Sequence, residues 1–242
     1  MAAPTLDGSA VGKASSTNVN TIYLTTSLPN DIIVLMAYAE VGRSGTQSAI
    51  TSVSGGGLTW TRRAVANASG QSSLELWYAV ATTALSFTSI TMTYAANFDD
   101  ASASAFGVNG CNLANPWDSH GNFPATQSLT VDAAPSFTVS TNNAEDFLIF
   151  AVATSALWSA YPGTLPMGFS TAAMSQNNGG ALFAFEVVAY KQVTAVQSAS
   201  TFTWGSTIPA TYNSIESIFD ALAGGSSAPP AIAKRPQVFI CT

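Results

Sequence analysis

Two stretches of the chain, 115 residues apart, repeat one pattern of strand, turn and strand. Residues 22–39 read IYLTTSLPNDIIVLMAYA, residues 137–154 read FTVSTNNAEDFLIFAVAT, and the two align without a gap. Each begins with alternating apolar and polar residues, passes through a polar turn that ends in Asp31 or Asp146, and enters a continuous apolar run. Internal repetition is the signature of a chain built from copies of one structural unit. The sequence therefore predicts two similar units in tandem.

Further landmarks follow in the same order in both copies, with small changes in spacing. Leu58-Thr59-Trp60 aligns with Met167-Gly168-Phe169, Leu74-Glu75-Leu76 with Phe185-Glu186-Val187, and Ile90-Thr91-Met92 with Phe202-Thr203-Trp204. Each copy then reaches a Ser/Ala-rich segment that ends in glycine, at Gly110 and at Gly224. This shared order favours a duplication, with Asp31 superposing on Asp146 and Leu76 on Val187.

The units are β by periodicity. Residues 74–80 and 90–94 alternate with a period of two, which is typical of half-buried strands, and β-branched and aromatic residues dominate them. Residues 214–222 suit a helical face equally well, but by analogy with residues 101–108 they are interpreted as a strand. The predicted core lies on the apolar phase of these strands and comprises Ile33, Leu35, Leu76, Ile90, Leu148, Phe150, Val187 and Phe202.

The predicted fold is all-β, with two tandem duplicated β-sandwich units, jelly-roll-like or immunoglobulin-like, and a C-terminal strand-like tail. The predicted boundaries are 1–114 for the first unit, 115–225 for a connector and the second unit, and 226–242 for a linker and tail. The tail follows a Gly/Ser/Pro linker, and its Val238, Phe239 and Ile240 have strong strand character. We expect these three residues to form an assembly contact, either on the chain's own sheet or on a neighbour's sheet edge.

Charge is scarce. Only 8% of the residues are charged, against about 25% in ordinary soluble proteins, and the formal net charge is −6. Arg62-Arg63 and Lys234-Arg235 are the adjacent basic pairs, so the basic stripe of a nucleic-acid-binding protein is missing. No apolar run approaches the length of a membrane span, and the N-terminus lacks a secretory signal pattern. Nucleic acid and membrane are therefore not expected partners, and low charge favours a surface covered by copies of the chain or by another protein.

Motifs for catalysis are missing from the sequence. The single histidine, His120, lies in a loop beside glycine, and no Gly-x-Ser-x-Gly nucleophile motif accompanies it. Glu75 and Glu186 could in principle pair as glycosidase carboxylates, but equivalent residues of two copies normally occupy separate places. We expect no enzyme.

Metal and cofactor sites are not expected either. One histidine and two separated cysteines cannot make a zinc site. Calcium could use Asp99-Asp100 with Asn97, or the turn acids Asp31 and Asp146, yet carboxylates that cap turns explain these positions more simply. Cys111 and Cys241 could form one disulfide, although two separate thiols are the favoured interpretation.

The chain has five tryptophans. Trp60 and Trp204 align with Phe169 and Met92, as core positions do, whereas Trp117 and Trp158 lie in predicted loops. We expect Trp117 and Trp158 to form surface contacts. Stacking on sugar rings is the alternative use of such aromatic residues.

The pattern of each copy resembles a family of β-sandwich repeats found in bacteriophage and prophage structural proteins. The resemblance rests on the turn Asp before an apolar strand (Asp31-Ile-Ile-Val-Leu and Asp146-Phe-Leu-Ile-Phe), on Gly-Leu-Thr-Trp-Thr, and on the Ser/Ala strand ending in glycine. It covers roughly residues 21–225 and carries no catalytic motif. It implies a virion component, assembled in the host cytoplasm, whose partners are capsid or tail proteins and copies of itself.

The favoured function is therefore a structural protein on the exterior of a phage particle, foremost a head decoration or cement protein. A tail or fibre component is the alternative within the same class. A carbohydrate-binding adhesin that contacts a host-surface glycan is the alternative from another class.

Overall fold

A computed structural model describes residues 3–41, 49–68, 72–129, 134–155, 164–179, 183–205 and 215–225. Every regular element in these ranges is a β-strand, and all pairings between strands are antiparallel. The all-β prediction is confirmed. Within the same ranges, no helix has the length and apolar character needed to cross a membrane.

The first half of the chain contains six strands: β1 (Thr5–Leu24), β2 (Asp31–Glu40), β3 (Ile50–Ser54), β4 (Thr61–Ala68), β5 (Ser72–Ala81) and β6 (Thr88–Asn109). The second half contains seven: β7 (Ala125–Leu129), β8 (Ser136–Val139), β9 (Asp146–Thr154), β10 (Ser170–Asn177), β11 (Ala184–Val193), β12 (Ser200–Thr203) and β13 (Ile215–Ala223).

The first sheet has the order β4-β5-β2-β6-β1, with β3 added to β6. Strands β1 and β6 are long because they run through two layers. Their pairing shifts register between Thr17 and Val19, beside Ser16, which has a φ of 54°. Before this shift β1 pairs with the part of β6 that borders β2, and after it β1 pairs with the part that borders β3. The first inner sheet comprises β4, β5, β2 and the parts of β6 and β1 that border them. The first outer sheet comprises β3 with residues 88–94 of β6 and residues 17–24 of β1.

The second half divides in the same way but with separate strands. Its five-stranded sheet, the second inner sheet, has the order β10-β11-β9-β13-β7. A two-stranded sheet of β12 and β8 forms the second outer sheet.

Alternating side chains sort the apolar residues into three cores. On β2, Ile32, Val34, Met36 and Tyr38 pack with Phe147, Ile149, Ala151 and Ala153 of β9, which forms an inner core between the two inner sheets. The opposite faces of β2 and β9 pack on the outer sheets, as Ile33 and Leu35 do on one side and Leu148 and Phe150 do on the other. The described chain is therefore a stack of four β-layers. Both central strands are buried on both faces, which explains their continuous apolar sequences.

The predicted core is confirmed. All eight of its residues are buried, the most accessible being Phe202 at 8%. The strand interpretation of residues 214–222 is also confirmed, since β13 occupies Ile215–Ala223 and is buried throughout.

The two inner sheets have the same strand order when β10, β11, β9, β13 and β7 are matched to β4, β5, β2, β6 and β1. Asp31 and Asp146 are the first residues of the matched central strands. The register corrects one detail of the sequence alignment. Leu76 lies opposite Met36, and the residue opposite Ala151, 115 positions further on, is Val188. Leu76 therefore corresponds to Val188, not to Val187, because register, unlike composition, determines which face a residue occupies.

Candidate functional site

Most residues predicted to make contacts lie outside the described chain. Trp158 falls within 156–163, and Val238, Phe239 and Ile240 fall within 226–242, neither of which the structure describes. Their proposed roles stay predictions. Trp117 is described, as are His120, Glu75 and Glu186.

Trp117 lies at the junction of the two halves. Its ring meets the Tyr78 ring edge-on at 5.3 Å between centroids, and the Arg63 guanidinium carbon lies 5.0 Å above it. Residue 117 also forms an isolated bridge with Leu222 of β13. Trp117 is half-buried against the inner core, so much of its area already serves contacts within the chain. Its role in contacts with another molecule stays a prediction.

Glu75 and Glu186 do not face each other. Glu75 lies between Leu74 and Leu76, which point into the inner core, so its own carboxylate points the other way and accepts hydrogen bonds from the Ile50 backbone N–H at 2.8 Å and from Trp77 Nε1 at 2.9 Å. Glu186 points into the inner core and has no hydrogen-bond partner among the described residues, and burial raises its pKa well above the usual range. These carboxylates are not arranged as a glycosidase pair.

His120 supports loop structure. Its backbone N–H donates to Asp118 Oδ1 at 2.7 Å, and its Nδ1 accepts from the Asn122 backbone N–H at 3.2 Å. Within the described ranges there is also no group of three or more His, Cys, Asp or Glu side chains that could hold a metal ion.

We predict that His120→Ala leaves the protein almost unchanged. The side chain makes one weak bond in a loop, so the free energy of unfolding should change by no more than about 0.5 kcal/mol. Chemical denaturation of both proteins measures this. A loss above about 2 kcal/mol would give His120 a structural role that these contacts do not explain.

The acidic residues carry the main feature that sequence reasoning missed. Of the twelve Asp and Glu residues described, ten are buried. They are Asp7, Asp31, Glu40, Glu75, Asp100, Asp118, Asp146, Glu186, Glu216 and Asp220. Their spacing carries no signal for this, although all of them except Asp118 lie in strands.

Burial makes several of these groups weaker acids than an exposed carboxyl group is. It raises the pKa of Asp31 and of Asp220 to about 6, of Glu40 to about 7 and of Asp146 to about 8. Part of the acid content is therefore protonated at neutral pH, and the formal charge of −6 overstates the negative charge of the folded protein. The surface is poorer in charge than the sequence implies.

Polar contacts join the two inner sheets within this acid-rich interior. Arg63 of β4 donates from Nε to Asp220 Oδ2 of β13 at 2.9 Å. Ser72 of β5 donates to Glu216 of β13 at 2.5 Å. Asp220 also accepts from the Ala221 backbone N–H at 2.9 Å, but loss of the Arg63 cation would still leave a buried carboxylate without its counter-charge, at a cost of several kcal/mol.

The outer sheets contain no charged residue at all in their described strands, which are residues 17–24, 50–54, 88–94, 136–139 and 200–203. Their solvent faces carry Ser and Thr in cross-strand pairs. The hydroxyl oxygens are 3.2 Å apart in Thr21–Thr91, 2.8 Å in Thr138–Thr201 and 2.7 Å in Ser136–Thr203. Paired hydroxyls satisfy one another, so these faces are flat and neutral.

One exposed aromatic pair interrupts the first of these faces. The Tyr23 and Phe87 rings stack at 4.8 Å between centroids with 14° between their planes, and they are 51% and 72% exposed. Phe87 has a φ of 45°, and its N–H donates to Thr25 Oγ1 at 2.9 Å. In the second half Ala199 has a φ of 48° and its N–H donates to Ser140 Oγ at 3.0 Å. The same turn thus forms without an aromatic residue, so Phe87 is not required by the fold.

A groove of about 550 Å³ lies beside the junction of the two halves. Its wall includes the turn Gly56–Thr59, Tyr78, Thr82, Leu113 and Pro116, and no charged side chain lines it. Its chemistry suits a neutral ligand with hydroxyl groups.

No protein-family model, curated protein or solved structure matches this chain.

Proposed function

We propose that this protein is a non-catalytic structural component of the exterior of a bacteriophage particle, foremost a head decoration or cement protein. It would act by burying surface against neighbouring subunits. The observation that supports this most is the neutral surface: ten of the twelve described acids are buried, and the outer sheets carry no charge. Charge on a surface keeps molecules apart, so its removal favours close association with copies or with other virion proteins.

We also infer that the two halves are tandem duplicated β-sandwiches. Matching strand order supports this, and so do matched hydrogen bonds at the turn before each central strand. Thr26 and Leu85 exchange two bonds of 2.9 Å, and Thr141 and Gln197 exchange two bonds of 3.0 Å. The same face of β2 and of β9 enters the inner core. The halves thus meet as the subunits of an isologous dimer would, which is the arrangement that fusion of two identical subunits would produce.

The Tyr23–Phe87 pair is the best candidate for the centre of a subunit contact. Aromatic residues carry a large share of the energy in protein interfaces, and a pre-stacked pair loses little entropy on binding. The surrounding Ser and Thr hydroxyls could form the polar rim.

A concentration series in light scattering or sedimentation tests the contact. We expect the full chain to form species larger than a monomer, and Tyr23→Ser/Phe87→Ser to shift the mass toward the monomer. Met167→Ser is the matched control, because Met167 is 91% exposed in the second half, away from the pair. A wild-type monomer at all concentrations, or equal effects of both variants, would contradict self-association through this face.

The virion role is tested on particles made with and without the chain. Particles that contain it should survive heat or low ionic strength that disrupts those lacking it, and the chain should be found on their outer surface. Deletion of residues 226–242 should weaken attachment if Val238, Phe239 and Ile240 form the predicted contact. A chain found only on tails would favour the tail or fibre alternative.

Carbohydrate binding is the second candidate, and the exposed ring of Phe87 favours it. Aromatic faces stack on the C–H faces of sugar rings, and the neighbouring hydroxyls and the neutral groove suit an uncharged glycan. A glycan array with the wild-type chain tests this. Binding that Phe87→Ser abolishes and Met167→Ser retains would support an adhesin, whereas no binding would leave the assembly role as the proposed function.

A further inference from the structure

A pair of aspartates lies at the start of the central strand in the first half. Asp7 of β1 accepts backbone N–H groups from Ser27, at 2.9 and 3.0 Å, and from Leu28, at 2.7 Å. Its neighbour Asp31 is fully buried. Asp31 Oδ1 accepts from Asn109 Nδ2 at 2.9 Å, whereas Oδ2 has no hydrogen-bond partner among the described residues.

The second half contains the same arrangement. Asp118 Oδ1 accepts from the His120 N–H, and Oδ2 accepts from the N–H groups of Asn142 and Asn143 and from Asn143 Nδ2, at 2.7 to 3.0 Å. Its neighbour Asp146 is fully buried, and neither of its side-chain oxygens has a partner in the described chain. The turn that donates to Asp118 is the counterpart, 115 residues on, of the turn that donates to Asp7.

The donors decide which aspartate of each pair is ionised. Asp7 and Asp118 accept several N–H bonds, which favour a carboxylate. Asp31 Oδ2 and both Asp146 oxygens are buried and accept no hydrogen bond of good geometry, which disfavours a second negative charge. The nearby side chains of Thr26, Thr141 and Asn143 offset this only in part, since the pKa values of both aspartates remain raised. A proton on Asp31 or Asp146 removes that charge and supplies an O–H donor toward the neighbouring carboxylate. Two carboxyl groups at one site then share one proton.

We propose that Asp7–Asp31 and Asp118–Asp146 are two equivalent proton-binding sites that make the folded protein more stable in mild acid than at neutral or basic pH. Each occupied site ties the turn before a central strand to an earlier segment of the chain, which is β1 in the first half and the connector between β6 and β7 in the second. The second site also bonds to the end of β13, because the Asp118 N–H donates to Ala221 O at 2.9 Å. That end of β13 is where residues 226–242 leave the described chain.

The surrounding charges agree with this assignment. Burial, followed by the Asp118 charge, raises the pKa of Asp146 to about 8. Burial raises the pKa of Asp31 to about 6, the Asn109 amide lowers it and the Asp7 charge raises it. Cys111 lies between the sites, and its thiol pKa is raised by burial and then by Asp31 and Asp146. The other nearby charges are Asp220, which is bonded to Arg63, and Glu145, which precedes Asp146.

The sign of the pH effect follows from the raised pKa values. An unfolded aspartate titrates near pH 4, whereas the folded Asp31 and Asp146 hold their protons to about pH 6 and 8. The stabilisation is fully present below about pH 4 and is lost as the pH rises through the folded values. The protein should therefore lose stability between pH 5 and pH 8.5, opposite to the acid denaturation that salt-bridged carboxylates cause.

Carboxyl ¹³C NMR of the full chain labelled at aspartate tests the sites directly. We expect three aspartate signals to titrate above pH 5, those of Asp31 and Asp220 near pH 6 and that of Asp146 near pH 8. One of the two signals near pH 6 should be absent from Asp31→Asn, and the signal near pH 8 should be absent from Asp146→Asn. Asparagine imitates a protonated aspartate, so Asp146→Asn should keep its Tm at pH 5 and show a smaller fall in Tm by pH 8.5 than the wild type. Glu145→Gln is the control and should retain the wild-type pH dependence.

Two results would overturn the proposal. One is titration of both Asp31 and Asp146 near pH 4, which would show that neither holds a shared proton. The other is a rise in Tm with CaCl₂ at pH 7 that Asp146→Asn abolishes, which would make the pair a cation site instead. If the asparagine variants fail to fold, wild-type NMR and calcium titration still decide between these outcomes.

Discussion

Truncation of Phe150 to alanine is expected to destabilise the protein by about 3–5 kcal/mol, as loss of a fully buried phenylalanine usually does. The Phe150 side chain is inaccessible and lies in the core between the second inner sheet and the second outer sheet. Its ring centroid is 5.2 Å from those of Phe137 and Trp204 and 5.3 Å from that of Phe219. Truncation removes all of these contacts and leaves a cavity. The surrounding aromatic rings are close-packed and cannot readily move to fill it.

Thermal and chemical denaturation measure this effect. For a chain of this length, 3–5 kcal/mol corresponds to a fall in Tm of roughly 6–20 °C. Met167→Ala is the control, because it truncates an apolar side chain that is 91% exposed, and it should change stability by no more than about 0.5 kcal/mol. Similar losses in both variants would contradict the assignment of Phe150 to a close-packed core.

Replacement of Arg63 by methionine is expected to cost about 3 kcal/mol at pH 8. Arg63 joins the two inner sheets through Asp220, whose carboxylate is inaccessible, and methionine retains the aliphatic stem but not the charge. The variant leaves Asp220 buried without its cation. Burial raises the pKa of Asp220 to about 6 even with Arg63 beside it, and removal of the guanidinium should raise this pKa further.

The cost should depend on pH. A carboxyl group with a raised folded pKa destabilises the protein as the pH rises above its unfolded value, near 4, so Arg63→Met should lose more stability at pH 8 than at pH 5. Asp220→Leu in the Arg63→Met background should recover much of the loss, since a well-packed apolar pair can replace a buried ion pair.

The adjacent arginine provides the control for this experiment. Arg62 lies 3.7 Å from Glu75 and its side chain is 49% exposed, so Arg62→Met should cost no more than about 1 kcal/mol. Equal losses for the two arginines, or a loss for Arg63→Met that is the same at both pH values, would contradict the role given to Asp220.

Periodicity was sufficient to predict the strands and their buried phases. Residues 31–40 and 146–154 read as continuous apolar runs, and the structure places both in the middle of inner sheets, covered on two faces. The alternation around Leu76 predicted its burial correctly. Its alignment with Val187 is one residue out when the central strands are matched, because the loops of the two halves differ in length and only the hydrogen-bond register shows which residues are opposite one another.

The contact residues could not be predicted in the same way. The sequence places Trp117 in a predicted loop and so predicts a surface contact, whereas in the structure its ring is half-buried against the inner core, beside Tyr78 and Arg63. Tyr78 and Arg63 are distant from Trp117 in sequence, so no local sequence pattern predicts that they contact it. The stacking of Tyr23, in β1, on Phe87, in the turn before β6, could not be predicted either, because a single aromatic residue in a sequence looks the same whether it is exposed or buried.

The sequence by itself determined that this protein is an all-β chain, because a period of two is a property of neighbouring residues, and its repeated order of landmarks is the basis for the proposed duplication. Only the tertiary structure determined which acidic side chains are buried. Burial of a carboxylate depends on which sheet covers it and on which N–H groups point at it, and in Asp31, Asp146 and Asp220 those groups come from strands and turns that are distant in sequence. Folding therefore places ten of the twelve acidic side chains of the described residues in the interior.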